Sequence, residues 1–110
     1  MKDNTTSEQI EALNLIPIGG RQKVCPDEVI MLKADANYTE VYLSSGKKLI
    51  VATTLKTLEM RFLPFAFIRM NKTYMINAQF VSEYQENAIK MNNALVIVFS
   101  RRRGKVWKNQ

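Results

Sequence analysis

The chain of 110 residues has no histidine and a single cysteine, Cys25. Without imidazole there is no general base of near-neutral pKa and no histidine ligand for a metal. A lone cysteine forms no internal disulfide. With Pro26 after it and no histidine to activate it, Cys25 reads as a packing residue rather than a nucleophile. Long apolar runs are missing as well. No stretch approaches the roughly 20 residues needed to span a bilayer, and Met1–Glu8 lacks the apolar core of a signal peptide. The cytoplasm is therefore the expected compartment. Glycines are few, and Gly19-Gly20 makes no phosphate-cradling pattern, so a tight turn is the plain reading. Asp27, Glu28 and Asp35 are the remaining candidates for acid–base work, but they fall at turns, where Asp is common anyway. No enzyme activity, catalytic residue, metal or cofactor is expected.

What the chain does have is a lopsided charge. Residues 1–68 carry eight Lys/Arg against eight Asp/Glu, whereas residues 69–110 carry eight Lys/Arg against only Glu83 and Glu86. The whole net charge of +6 thus belongs to the last 42 residues (8 − 2 = 6). Nearly half the chain is apolar and about a quarter charged, the composition of a folded domain that can build one core without metal or disulfide.

The order of apolar runs and turn residues predicts many short strands. Residues 1–12 are polar and aperiodic and read as a flexible lead or linker; residues 13–110 read as one domain. Strands are expected over Leu13–Ile18, Gln22–Cys25, Val29–Leu32, Tyr38–Leu43, Leu49–Ala52, Phe67–Met70, Thr73–Ile76, Val81–Glu86, Ala88–Met91 and Ala94–Phe99. Gly46 supplies the difficult dihedral of one hairpin loop, and Asn92-Asn93 suits a second turn with positive φ. One helix is expected near 54–63, with Thr54 as N-cap, Leu55, Leu58 and Phe62 on one face, and Pro64 at its end. Ser100 suits the cap of a C-terminal helical turn over 101–108. The sum is a mainly β domain.

Three polar sites interrupt the apolar pattern: Asn37-Tyr38-Thr39-Glu40, Asn71-Lys72-Thr73, and Ser100-Arg101-Arg102-Arg103. Lys and Arg meet phosphates, Arg can grip guanine with both prongs of its fork, and Asn can read adenine in the same two-pronged way. The plainer reading is a solvated strand end. Arg101, Arg102, Arg103, Lys105 and Lys108 nevertheless lie within eight residues with no acid among them, and their self-repulsion calls for a polyanion. Tyr42 and Tyr74 read as core or cross-strand aromatics. On charge alone a duplex-DNA binder, an RNA or single-strand-binding module and a basic protein-interaction domain all remain open; only the last would be indifferent to nucleic-acid sequence.

The segment Phe67-x-Arg69-x-Asn71-Lys72-Thr73-Tyr74-x-Ile76-Asn77 resembles the hallmark stretch of LytTR domains, the DNA-binding output domains of a class of bacterial response regulators in two-component systems. Asp27–Leu32, Asn37-Tyr38-Thr39-x-Val41, Gly46-Lys47-Lys48, Leu55-Lys56-x-Leu58-Glu59 and Ser100-Arg101-Arg102 resemble further features of that family in the same order. The resemblance spans residues 24–107. It implies an elongated stack of short antiparallel sheets that lays loop residues into successive major grooves of duplex DNA, with a second copy on repeated half-sites. Position by position it implies DNA contacts from Tyr38 and Thr39, from Asn71, Lys72 and Thr73, and from Arg101 and Arg102, with Arg103 and Lys105 adding charge. Lys72 and Arg101 are expected on base edges, and Thr39, Thr73 and Arg102 on phosphates. Asn71 stands where the family usually has histidine and Thr73 where it has serine. The receiver domain that commonly precedes such a domain has no counterpart in the 23 residues before the resemblance.

Overall fold

The structure, a computed structural model, describes residues 15–100. The lead over 1–12, the C-terminal turn over 101–108, and with it Arg101, Arg102, Arg103 and Lys105, lie outside the described residues.

β-Branched and aromatic runs separated by turn residues give ten strands: β1 (Ile16–Gly19), β2 (Gln22–Val24), β3 (Val29–Asp35), β4 (Tyr38–Leu43), β5 (Lys48–Val51), β6 (Phe67–Arg69), β7 (Tyr74–Asn77), β8 (Val81–Tyr84), β9 (Ala88–Met91) and β10 (Val96–Val98). One α-helix, α1 (Leu55–Phe62), lies between β5 and β6. Every strand pairing is antiparallel. The strands form a two-stranded sheet β1-β2, a five-stranded sheet ordered β5-β4-β3-β7-β6, and a three-stranded sheet ordered β10-β9-β8. The expected mainly β architecture of short antiparallel sheets with one helix is what is found.

Two turns differ from expectation in an instructive way. β3 runs on through Lys33 and Ala34 to Asp35, because those residues continue to pair with Glu40, Thr39 and Tyr38 of β4. The following turn puts positive φ on Ala36 (55°). At the second hairpin the positive φ falls on Ala94 (73°), not on Asn92 or Asn93. Asn93 contributes its side chain instead, its Oδ1 accepting from the Leu95 amide at 3.1 Å. An asparagine that bends the chain through its carboxamide leaves the left-handed residue to its neighbour.

The central sheet is buried on both faces. On one side α1 presents Leu55, Leu58 and Phe62, together with Ile16, Ile18 and Val24 of the β1-β2 hairpin, against Leu32, Val41, Val51, Phe67 and Met75. Phe62 and Phe67 meet edge to face, with ring centroids 4.8 Å apart. On the other side Met31, Met70 and Ile76 pack against Ile89, Met91, Ile97 and Phe99 of the three-stranded sheet, and half-buried Tyr42 and Tyr74 join them. A register shift between Val29 and Met31 turns both Ile30 and Met31 toward this second core. Buried Asn77 ties β7 to the turn that leads into β3: its Nδ2 donates to the carbonyls of Pro26 (3.2 Å) and Val29 (2.9 Å). Thr54 caps α1 as expected, its side chain accepting from the Thr57 amide at 3.3 Å.

Candidate nucleic-acid interface

The loop joining β6 to β7 is built from the inside outward. The Met70 amide donates to the Tyr74 carbonyl at 2.9 Å and closes the hairpin. Within it the Asn71 Oδ1 accepts from the amides of Thr73 (2.8 Å) and Tyr74 (2.9 Å). From the opposite side Arg69 donates Nε–H to the Asn71 carbonyl (2.7 Å) and Nη2–H to the Lys72 carbonyl (3.1 Å). Its third nitrogen, Nη1, pairs with Glu59 Oε1 on α1 at 2.6 Å. Backbone donors and acceptors of the loop are thus both held by side chains of the same segment. The Lys72 side chain is exposed and forms no ion pair among the described residues.

Direct hydrogen bonds tie this loop to its two neighbours. The Ala34 amide donates to the Thr73 carbonyl at 2.7 Å, which sets the β3–β4 turn and Tyr38 beside it. On the other flank the Asn71 Nδ2 donates to the Val98 carbonyl (2.7 Å) and the Ser100 amide to the Met70 carbonyl (2.8 Å). Three segments far apart in sequence therefore form one row: the turn before Tyr38, the loop carrying Lys72 and Thr73, and the end of β10 from which the chain continues into Arg101.

The residues expected to contact DNA divide in this row. Tyr38 is 53% exposed at the first position of β4. Lys72 is exposed and Thr73 half-buried. Thr39 must be corrected: it is fully buried, and its hydroxyl donates to the Thr53 carbonyl at 2.6 Å, so it is a packing residue that no phosphate can reach. Asn71, half-buried, is narrowed in what it can offer DNA. Both lone pairs of its Oδ1 are taken by backbone amides, and a two-pronged grip on adenine needs that acceptor free.

Lys33 and Lys48 of the central sheet, which sequence reasoning did not assign to the site, stand beside residues that it did consider. Tyr38, Glu40 and Tyr42 alternate onto one face of β4. The Tyr42 hydroxyl donates to Glu40 Oε1 at 2.6 Å, and Lys48 Nζ stands 4.0 Å from Glu40 Oε2. That hydrogen bond, with partial burial and the Glu40 charge behind it, pushes the Tyr42 phenol up to about 12. The same bond, aided by Lys48 and Lys33, holds the Glu40 carboxyl below its ordinary value. Lys33 Nζ sits 5.9 Å from the centre of the Tyr74 ring, next to the loop. The signal for Lys33 was its in-phase place after Val29–Leu32, legible only once β3 is known to continue. Among the described residues no three His, Cys, Asp or Glu side chains gather to hold a metal ion. Among the same residues no helix is long and apolar enough to cross a membrane.

The family model described as the LytTr DNA-binding domain matches residues 20–110. A solved LytTr DNA-binding domain of Bacillus cereus superposes with a TM-score of 0.68 at 15% identity, covering 86% of this chain and 92% of that one. At that identity the likeness speaks for the fold. No curated protein matches the chain.

Proposed function

The chain belongs to the LytTr DNA-binding domain family, and on that premise we propose that it is a sequence-specific regulator of transcription that reads duplex DNA through the row of loops. Lys72 is the base-reading side chain of the central loop, and Arg101 that of the segment following Ser100. Tyr38, Thr73 and Arg102 set the register on sugar and phosphate, while Arg103 and Lys105 add charge that draws the polyanion in. The long dimension of the described residues, 48 Å, exceeds the roughly 34–36 Å of one helical turn. A body of that length can address successive major grooves, and a second copy would occupy a repeated half-site.

The observation that carries this reading is the row itself. Lys72, with no ion pair among the described residues, projects from a loop whose backbone is tied down on both flanks, next to the end of β10 from which the chain continues to Arg101. A merely solvated strand end has no need of such bracing. A single-strand binder would present stacked aromatics on an open sheet face. Here the Glu40 carboxylate sits between Tyr38 and Tyr42 on β4 and would repel a nucleic-acid backbone.

Selection from a random duplex library at near-physiological salt tests the proposal. A compact enriched motif is expected. Lys72→Ala and Arg101→Ala should each cost about 1–3 kcal/mol on that motif and relax discrimination within it. Lys105→Ala should weaken all duplexes alike and lower the salt slope by about one unit. Salt-sensitive binding with no enriched motif would leave only a cationic surface, and identical behaviour of the three variants would overturn the assigned roles.

A further inference from the structure

An arginine in a DNA-reading loop is ordinarily taken for a phosphate or base contact. Arg69 faces the other way. It lies on the α1 side of the central sheet, in step with Phe67 and opposite Met75, and its side chain is only 11% exposed. Each of its three nitrogens has a protein partner: Nε the Asn71 carbonyl, Nη2 the Lys72 carbonyl, and Nη1 the Glu59 carboxylate. Two successive carbonyls turned inward onto one guanidinium mean that the loop is curled around Arg69. Asn71 closes the curl from within through the amides of Thr73 and Tyr74. Glu59, itself 18% exposed, fixes the guanidinium from α1.

We infer that Arg69 and Glu59 form a positioning pair that sets the shape of the Asn71–Thr73 loop and thereby determines sequence discrimination by Lys72. The inference rests on the proposed function and deepens it. Its physical basis is preorganisation: a loop already held in its bound shape loses little freedom on binding, and a base contact tolerates only small displacements. Lysine cannot substitute for Arg69, because one rotatable ammonium cannot reach two carbonyls and a carboxylate in fixed geometry.

The test compares the wild type, Arg69→Lys, Arg69→Gln, Glu59→Gln and, as a control for stability alone, Leu58→Ala. The comparison is made at a temperature where all are folded. For each, affinity for the selected duplex and for random duplex is measured across salt. Arg69→Lys should leave random-duplex affinity little changed and lower the ratio of specific to random binding by about tenfold, the scale of one lost base contact. Arg69→Gln should lower that ratio without changing the salt slope, and Glu59→Gln should lower it less. Leu58→Ala should lose stability and keep the ratio. Amide exchange at Thr73 and Tyr74 should quicken in both Arg69 variants and not in Leu58→Ala. An unchanged ratio in Arg69→Lys, an equal fall in Leu58→Ala, or a salt slope reduced by about one unit in Arg69→Gln would each overturn the inference. The first of these leaves the proposed function standing. A wild type that selects no motif removes the proposed function, and this inference with it.

Discussion

Asn71 and Thr39 look like DNA-binding residues in a string of letters, and both are engaged with backbone groups of the protein itself. Burial decides the matter for Thr39, whose hydroxyl would lose a 2.6 Å hydrogen bond to Thr53 before it could meet a phosphate. Valence rules out a two-pronged adenine grip by Asn71, whose Oδ1 has no lone pair left. The Glu40–Tyr42 bond makes a prediction at this scale. The Tyr42 phenol, ordinarily near 10, is pushed up to about 12 in the folded protein. The unfolded chain therefore ionises it first, so the stabilisation is complete below about pH 10 and is lost as the pH rises through about 12. In a spectrophotometric titration the last phenolate step should come near pH 12 and vanish in Tyr42→Phe. A Tyr42→Phe variant with an unaltered titration end would show that the bond does not hold in solution. The positions of Lys72, Tyr38 and Thr73 were legible in the sequence through their place in broken strands. The inward turn of Arg69 was not, because its partner Glu59 lies across a helix-to-strand connection that no local pattern reveals.

At the scale of elements, α1 combines a local and a non-local source of stability. Thr54→Ala removes a cap bond and should cost about 1 kcal/mol. Leu58→Ala leaves a cavity against the central sheet and should cost about 2–5 kcal/mol. Both are checked by denaturant unfolding, and equal costs would contradict the view that packing dominates this short helix. The strands were legible because alternation and turn residues mark them; each expected strand is present, Tyr38–Leu43 and Ala88–Met91 with the expected ends and the others with shifted ones. The ends shifted where pairing overrode local signals: β3 continued through Lys33 and Ala34 because β4 offered partners. In the β3–β4 and β9–β10 turns the left-handed positions fell on Ala36 and Ala94, which sequence alone gives no reason to choose.

At the scale of the molecule, the two cores on opposite faces of one five-stranded sheet turn a set of short strands into a rigid body. Rigidity lets loops with no secondary structure of their own serve as a fixed reading surface. The partition into sheets of two, five and three strands could not be read from the sequence, since any two short strands can pair and only the packed whole selects among pairings. The charge imbalance was legible directly from the letters, since it is a matter of composition and not of folding.

The central claim is that side chains from the row of loops enter the major groove, where guanine N7 is exposed. Methylation protection at N7 on the selected duplex tests it most directly. Protected guanines in two clusters about one helical turn, roughly 10 base pairs, apart, with part of the protection lost in Lys72→Ala, are the expected result. Salt-sensitive binding that leaves every guanine N7 open to methylation would contradict the claim.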